Sequence, residues 1–174
     1  IDQNLSPKNI NYKVFIIDDS IEDTISAIIK PLQTKVKYFH RGKKLGRGSA
    51  VIEGMKYALE TEYTNLFIEM DADLSHNPDE ILDKIEIFNG RELDLLVSSR
   101  YHNNSKIEGW TIQRKILSFF ANKLAKILLS VPVTDYTNGY RFYSKNAVIF
   151  IIENCGKIGD GFIVLSEILL KLHN

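Results

Sequence analysis

One cysteine, one tryptophan, two methionines and four prolines are all that this 174-residue chain contains of those residue types. A lone Cys155 excludes an internal disulfide framework and suits a reducing compartment. With no histidine near it in sequence, Cys155 reads as a small packed residue rather than a nucleophile. An excess of charge of either sign is missing too: 22 basic and 22 acidic residues give a formal net charge of zero. The basic surplus that nucleic-acid binding demands is therefore absent. No apolar run reaches the roughly 18 residues of a membrane span. No basic-then-apolar leader with a small-residue cleavage site opens the chain. These absences predict a soluble or peripheral protein. The sequence opens on Ile1 rather than Met and runs straight into a strand pattern, which reads as a fragment of a longer chain. What is present is ordinary, with 44% hydrophobic and 25% charged residues, enough for one domain with its own core.

Short apolar runs alternate with helical patterns. "YKVFII" (12–17), "KVKYFH" (35–40), "NLFIEM" (65–70) and "ELDLLVSS" (92–99) read as strands. Between them, "EDTISAIIKPL" (22–32) reads as a helix with Asp23 or Thr24 as its cap, and "GSAVIEGMKYALE" (48–60) as a helix with a glycine-rich start. Asn77-Pro78-Asp79-Glu80 reads as a helix start, with Asn77 at the N-cap, Pro78 in the first turn and Glu80 as the reciprocal cap. That helix runs to about Phe88, and a longer amphipathic helix runs from Thr111 to Leu129. "GYRFYS", a short helix from Ser144 and a helical stretch over 162–172 complete the chain. The alternation predicts an α/β sandwich around a largely parallel sheet. Ligands of such sheets collect beyond the carboxyl ends of the strands. Asp18-Asp19, Asp71-Asp73 and Ser99-Arg100 all stand at such ends and should share one rim.

A buried strand has no structural need for two anions at its tip, so Asp71 and Asp73 ask for a positive partner. Two carboxylates one residue apart can hold one Mg²⁺ or Mn²⁺, whose other positions go to water and phosphate. Alternatively, Asp73 merely closes a turn by accepting backbone N–H bonds. An EF-hand fails, because His76 and Leu82 stand where glycine and glutamate are needed. A phosphohydrolase with Asp71 as nucleophile and Asp73 as acid/base stays open. "HRGKKLGRGSAVIEG" (40–54) sets Arg41, Lys43, Lys44 and Arg47 around Gly46 and Gly48 before a helix, a combination that suits phosphate. It is neither a Walker loop nor a dinucleotide fingerprint. Arg100, Arg114 and Arg141 could grip phosphate oxygens bidentately or simply be solvated. The four histidines show no paired metal-ligand spacing.

Together "FIIDDS", "RGKKLGRGSAVIEGMKYA", "MDADLSHNPDEI", "SSRY", "GWTIQRKILSFFAN" and "DYTNGYRFYS" resemble the family 2 glycosyltransferases of the GT-A fold, in the polyprenyl-phosphate branch that includes dolichol-phosphate mannosyltransferases. The resemblance covers about residues 14–144, in order. It implies a Rossmann-like, mostly parallel sheet flanked by helices, in a single catalytic domain over residues 1–174 that is truncated at both ends. A GDP- or UDP-sugar would be the donor, its diphosphate bridged by Mg²⁺ or Mn²⁺ to Asp71 and Asp73. Asp18, Asp19 and Lys44 would belong to the nucleotide pocket, and Arg141 would face the donor phosphates. Arg100, Arg114 and Ser118 would hold the phosphate of a polyprenyl (dolichyl-type) acceptor, with Asp73, Arg100 and Arg114 carrying the reaction. The reaction would invert the anomeric carbon. The resemblance also places the domain in the cytoplasm, at the cytosolic face of a membrane. The helix 112–129, apolar over a broad surface with Lys115, Lys123 and Lys126 between, fits such a surface or equally a packed amphipathic helix.

The departures are specific. The family opens with a strand and a loop that grips the nucleobase, and this chain starts after them, so strand 12–17 lacks its expected neighbour. The loop "DDSIEDT" is short and has none of the usual glycines. Glu167 falls two positions later than the mannosyltransferase pattern, which points to a sister branch. Glu167 and Asp160 come near the acceptor in this reading, neither of them assigned as a base. A non-catalytic nucleotide-binding module is the alternative from a different class.

Overall fold

A computed structural model describes residues 1–32, 34–101, 111–157 and 162–173, without the side chains of Arg114, Lys115 and Phe162. In chain order the elements are α1 (Asp2–Leu5), β1 (Val14–Asp18), α2 (Ser26–Ile29), β2 (Val36–His40), α3 (Arg47–Thr61), β3 (Leu66–Glu69), α4 (Ile81–Gly90), β4 (Leu95–Val97), α5 (Ile112–Leu129), β5 (Arg141–Ser144), α6 (Lys145–Asn154) and α7 (Phe162–His173). The strands read from sequence are all present. β1 and β2 pair in parallel, with Val14 opposite Val36 and Asp18 opposite His40. β5, which the alternation pattern does not assign to a sheet, lies between β3 and β4 and runs antiparallel to both. β3 and β4 are thereby parallel to each other, and their carboxyl ends point the same way. The described strands thus form two sheets, the parallel pair β1–β2 and the three-stranded β3-β5-β4.

β5 alternates between two cores. Phe142, with Tyr140 before it, faces Leu5, Ile81 and Phe88 of α1 and α4. Tyr143 faces Ile52, Met55, Ile151, Val164 and Ile168 of α3, α6 and α7. This period of two is what a strand buried on both faces requires. The third apolar cluster, Val131, Tyr136 and Leu169, packs under α5 through Ala125 and Leu129. Cys155 is buried in the second of these cores, and burial pushes its thiol pKa up, in keeping with a packing role.

Two local readings change. The helix over 22–32 is a single α-turn followed by a 3-10 turn at Lys30–Leu32. Pro31 cannot donate to a longer ladder, and of its apolar residues Ile29 is buried whereas Ile28 and Leu32 are exposed. Asp23 does cap it, accepting from the Ser26 N–H at 3.0 Å. At the start of α4, Asn77 accepts from the Asp79 N–H and Pro78 sits in the first turn, but Glu80 pairs with Lys84 one turn on instead of reaching back to Asn77. Ser144 caps α6 through the Ala147 N–H.

The contrast between core and surface can be read by mutation. Ile151→Ala, at a fully buried position, is expected to lower stability by about 2–4 kcal/mol in urea unfolding. Phe120→Ala on α5, where the ring is 61% exposed, should change it by less than about 0.5 kcal/mol.

Candidate active site

Asp19 stands just past β1, and the segment leading into α3 folds onto it. Its carboxylate accepts the N–H groups of Leu45 (2.9 Å) and Gly46 (2.8 Å) and an N–H of Arg41 (3.0 Å). Gly46 holds φ at 87°, a left-handed conformation that glycine adopts without strain. This clamp shapes a cavity of about 910 Å³ lined by Asp19, Ser20, Arg41, Lys44, Gly46 and Ser49 among others. Asp19 and Lys44, both expected in a nucleotide pocket, thus share one wall. Asp18 points to the other side of β1, where it accepts from Ser20 N–H at 2.9 Å and from the Tyr38 hydroxyl at 2.8 Å. The Ser20 hydrogen bonds hold its carboxyl pKa below the usual value.

Asp71 follows β3, and its position is fixed through its backbone. Its N–H donates to His76 Nδ1 at 2.9 Å, so the ring hydrogen is on Nε2, which donates to Asn138 Oδ1 at 2.9 Å. The Asn138 amide in turn donates to the Ser98 carbonyl at the end of β4. The side-chain Oδ1 of Asp71 receives Arg47 Nε at 2.9 Å, while Arg47 Nη2 donates to Glu69 at 2.7 Å. Burial opposes the charge of Arg47, but the two carboxylates outweigh it and raise its pKa. Asp73 is exposed and accepts the Ser75 N–H at 3.0 Å, and the Ser75 side chain together with that N–H lowers its carboxyl pKa. Leu74 between them is 95% exposed at φ 66°, a left-handed conformation that a leucine adopts only under local constraint.

Asp71 and Asp73 fit an oxygen-preferring divalent ion in donor chemistry: both are carboxylates open to solvent at a strand end. No cluster of three or more ligand-type side chains exists among the described residues. An ion held here would draw its remaining oxygens from water and phosphate.

Arg100 follows β4 and grips the buried Asp135 with a fork, Nε at 2.7 Å and Nη2 at 2.9 Å, adding Thr137 Oγ1 at 2.6 Å. Ser118 on α5 accepts the Tyr101 hydroxyl at 2.6 Å, so Arg100 and Ser118 are brought to neighbouring places. Burial opposes the charge of Arg100, but the hydrogen bonds and charge of Asp135 outweigh it and raise its pKa, with Asp71 adding a smaller contribution. Arg114 lies in the first turn of α5, with its side chain outside the described residues.

Arg141 was expected to face donor phosphates and does not. It is fully buried, and donates to the carbonyls of Asn138 (2.8 Å), Leu165 (2.9 Å) and Tyr136 (3.0 Å). Its place in the middle of a three-stranded sheet turns it inward. Glu167 is likewise a brace, accepting from Gly156 N–H and Lys171. Asp160 lies outside the described residues. Glu69, His76, Asp135 and Asn138 went unread in the sequence. Glu69 had a signal, a charged residue inside an apolar strand, which must find a partner when buried. The polar density of "DYTNGYR" was another.

These features define an α/β domain of the GT-A type with a polar rim at the strand ends. Residues 1–151 match the family model for Glycosyl transferase family 2, and the chain belongs to that family. It is 32% identical over 139 residues to a polyprenol monophosphomannose synthase of Mycolicibacterium smegmatis, covering 78% of this chain and 52% of that protein. It is 34% identical over 169 residues to a dolichol-phosphate mannosyltransferase of Pyrococcus furiosus, covering 94% of this chain and 45% of that protein. The chain therefore spans about half the length of the curated relatives it matches.

Burial pushes the Asp135 carboxyl pKa up, but the hydrogen bonds and charge of Arg100 outweigh it and bring it below the ordinary 3.8. The pair's stabilisation is therefore complete above that value and is lost as pH falls through the lower, folded-state value. Asp135→Asn is expected to destabilise by about 3 kcal/mol at pH 7. In urea titrations across pH, its difference from the wild type should shrink below about pH 4.

Proposed function

We propose that this chain is part of a glycosyltransferase that moves a hexose, mannose by the names of its relatives, from a nucleotide sugar to a polyprenyl phosphate with inversion. The observation that carries the reading is that Asp71, through Arg47 beside Gly46 and through His76 and Asn138 to Ser98, connects three things. These are the Asp19–Lys44 cavity, the Asp71–Asp73 carboxylates and the Arg100–Ser118 neighbourhood.

Asp19 and Lys44 line the space for the nucleotide, and the first turn of α3 offers its backbone to phosphate. A divalent ion held by Asp71 and Asp73 would supply positive charge to the departing diphosphate. An oxygen of the acceptor phosphate forms the new bond to the anomeric carbon as the bond to the diphosphate oxygen breaks. Phosphate is already an anion at neutral pH, so this step needs no strong base. Positioning and electrostatic stabilisation carry the rate. In this reading Arg100 and Ser118 orient the acceptor phosphate together with Arg114, which lies in the first turn of the helix that carries Ser118.

α5 supports a lipid acceptor. Ile116, Phe120, Leu124, Ile127 and Leu128 are all more than half exposed, with exposed Lys123 and Lys126 among them. No helix among the described residues is long and apolar enough to cross a membrane. A helix of this kind can lie in the interface plane, its apolar side in the acyl boundary and its lysines on anionic headgroups.

In the full-length protein, Asp73→Asn is expected to lower transfer of labelled sugar to polyprenyl phosphate by roughly a hundredfold or more, with an unchanged melting temperature. GDP- and UDP-sugars tried in turn identify the base. Unaltered turnover in this variant would overturn the assignment. Lys123→Glu/Lys126→Glu should weaken binding to anionic vesicles by roughly thirtyfold, at about 1 kcal/mol per lysine lost, and leave binding to neutral vesicles nearly the same.

A further inference from the structure

Arg47 is the first residue of α3, and its guanidinium crosses to the end of β3. There it is shared between two carboxylates of unequal mobility. Glu69 is 6% exposed and its second oxygen is held by the Tyr143 hydroxyl at 2.7 Å, whereas Asp71 is 38% exposed. Nη2 is therefore bound to a fixed partner and Nε to an exchangeable one. The third nitrogen, Nη1, is buried and has no hydrogen-bond partner among the described residues. A buried guanidinium N–H left without an acceptor is costly and asks for one. Gly139 completes the seat: a Cβ there would stand 1.8 Å from Nη2 and 2.7 Å from Cζ. The guanidinium fills the space that any other side chain at that position would take.

We propose that Arg47 is both the resident counter-cation of Asp71 and a ligand of the donor's diphosphate. With the site empty, Arg47 holds Asp71 through Nε. When the diphosphate arrives with its divalent ion, Arg47 releases Asp71, keeps Glu69 through Nη2, and turns Nε and the unpartnered Nη1 to diphosphate oxygens. This rests on the reading of Asp71 and Asp73 as ion ligands given above. It explains why a chain would put a cation beside a carboxylate that must bind a cation. The guanidinium makes the bare ion a poor ligand. The diphosphate removes that opposition by giving the guanidinium new acceptors. Ion and diphosphate then bind cooperatively, each strengthening the other by the same factor.

The test is titration of Mn²⁺, followed by the electron paramagnetic resonance of the free ion, with and without saturating GDP or UDP. It is run on the wild type, Arg47→Met and Asp73→Asn. Without nucleotide, Arg47→Met is expected to bind Mn²⁺ about tenfold tighter than the wild type. With Mn²⁺ present, its affinity for the diphosphate should be about tenfold weaker. A gain of ion affinity is not what a merely structural loss produces. Arg47→Met leaves Glu69 buried without its cation, so Arg47→Met/Glu69→Gln is the companion variant should the single one fail to fold, and it should show the same loss of cooperativity. Wild-type protein that binds bare Mn²⁺ as tightly as Arg47→Met overturns the role of Arg47, while nucleotide-dependent Mn²⁺ binding lost in Asp73→Asn leaves the ion site standing. If no form binds Mn²⁺ even with diphosphate, the ion reading itself falls, and this proposal with it.

Discussion

A fully buried guanidinium must have its donors satisfied, and Arg141 does so with backbone carbonyls. Two of those carbonyls, Tyr136 and Asn138, lie in the segment just before β5. To bring them within reach, residues 135–140 must curl back over their own strand, and the third carbonyl, on Leu165, ties that curl to α7. Three contacts of the rim then lean on it. Asp135 takes the fork of Arg100. Asn138 fixes His76, and through it the backbone of Asp71. Gly139 leaves the room that Arg47 occupies. The residue expected to touch phosphate is instead the one that builds the platform beneath it.

The arginines of the rim are each engaged by carboxylates. Arg41 meets Asp19 and Glu53, Arg47 meets Glu69 and Asp71, and Arg100 meets Asp135. Three guanidiniums thus face five carboxylates. An anionic substrate entering such a site meets arginines that already have partners. Its binding is an exchange of acceptors rather than the addition of a charge to free cations, and the gain is the difference between two hydrogen-bonded states. Sites of this kind hold their side chains in place before the substrate arrives, which suits chemistry that depends on position more than on acid or base strength.

How much of this could be read beforehand follows from what sets each feature. Strands and helices with a clear period agree with the structure, down to the bounds of α5, the Asn77 cap and the start of α6, because local chemistry decides them. Asp71 and Asp73 stand out in the sequence because a strand end gives two carboxylates no structural reason, whereas Asp19 and Lys44 come only from the family resemblance; the structure sets the first two past β3 and the other two along one cavity. The direction of β5 was not, since "GYRFYS" carries no mark of which neighbours it will pair with. α2 was overread, because Ile25, Ile28, Ile29 and Leu32 match a helical face that the fold does not bury beyond Ile29. Arg141 was turned the wrong way for a related reason: sequence shows a guanidinium near a rim, and only tertiary packing shows which side of the strand it takes. Glu69, His76, Asp135 and Asn138 act on other residues, and that dependence is visible only once the partners are in place.

α5 reverses the usual order of an amphipathic helix. Its inward side is partly polar: Ser118 accepts from Tyr101, and Asn122 accepts the Tyr136 N–H at 2.7 Å. Its outward side is largely apolar. Hydrogen bonds therefore hold the helix to the rim, while its hydrophobic surface, which contributes most of the attachment of an ordinary helix, is left unspent by the fold. Exposed apolar area of this extent is unfavourable in water alone. In the proposed function that unfavourable term is what an acyl boundary relieves. The same hydrogen bonds connect the helix to the strand-end platform, since Tyr101 follows directly on Arg100 and Tyr136 on Asp135. A lipid surface engaged by the outer side of α5 would then lie close to Arg100, the arginine proposed to orient the acceptor phosphate.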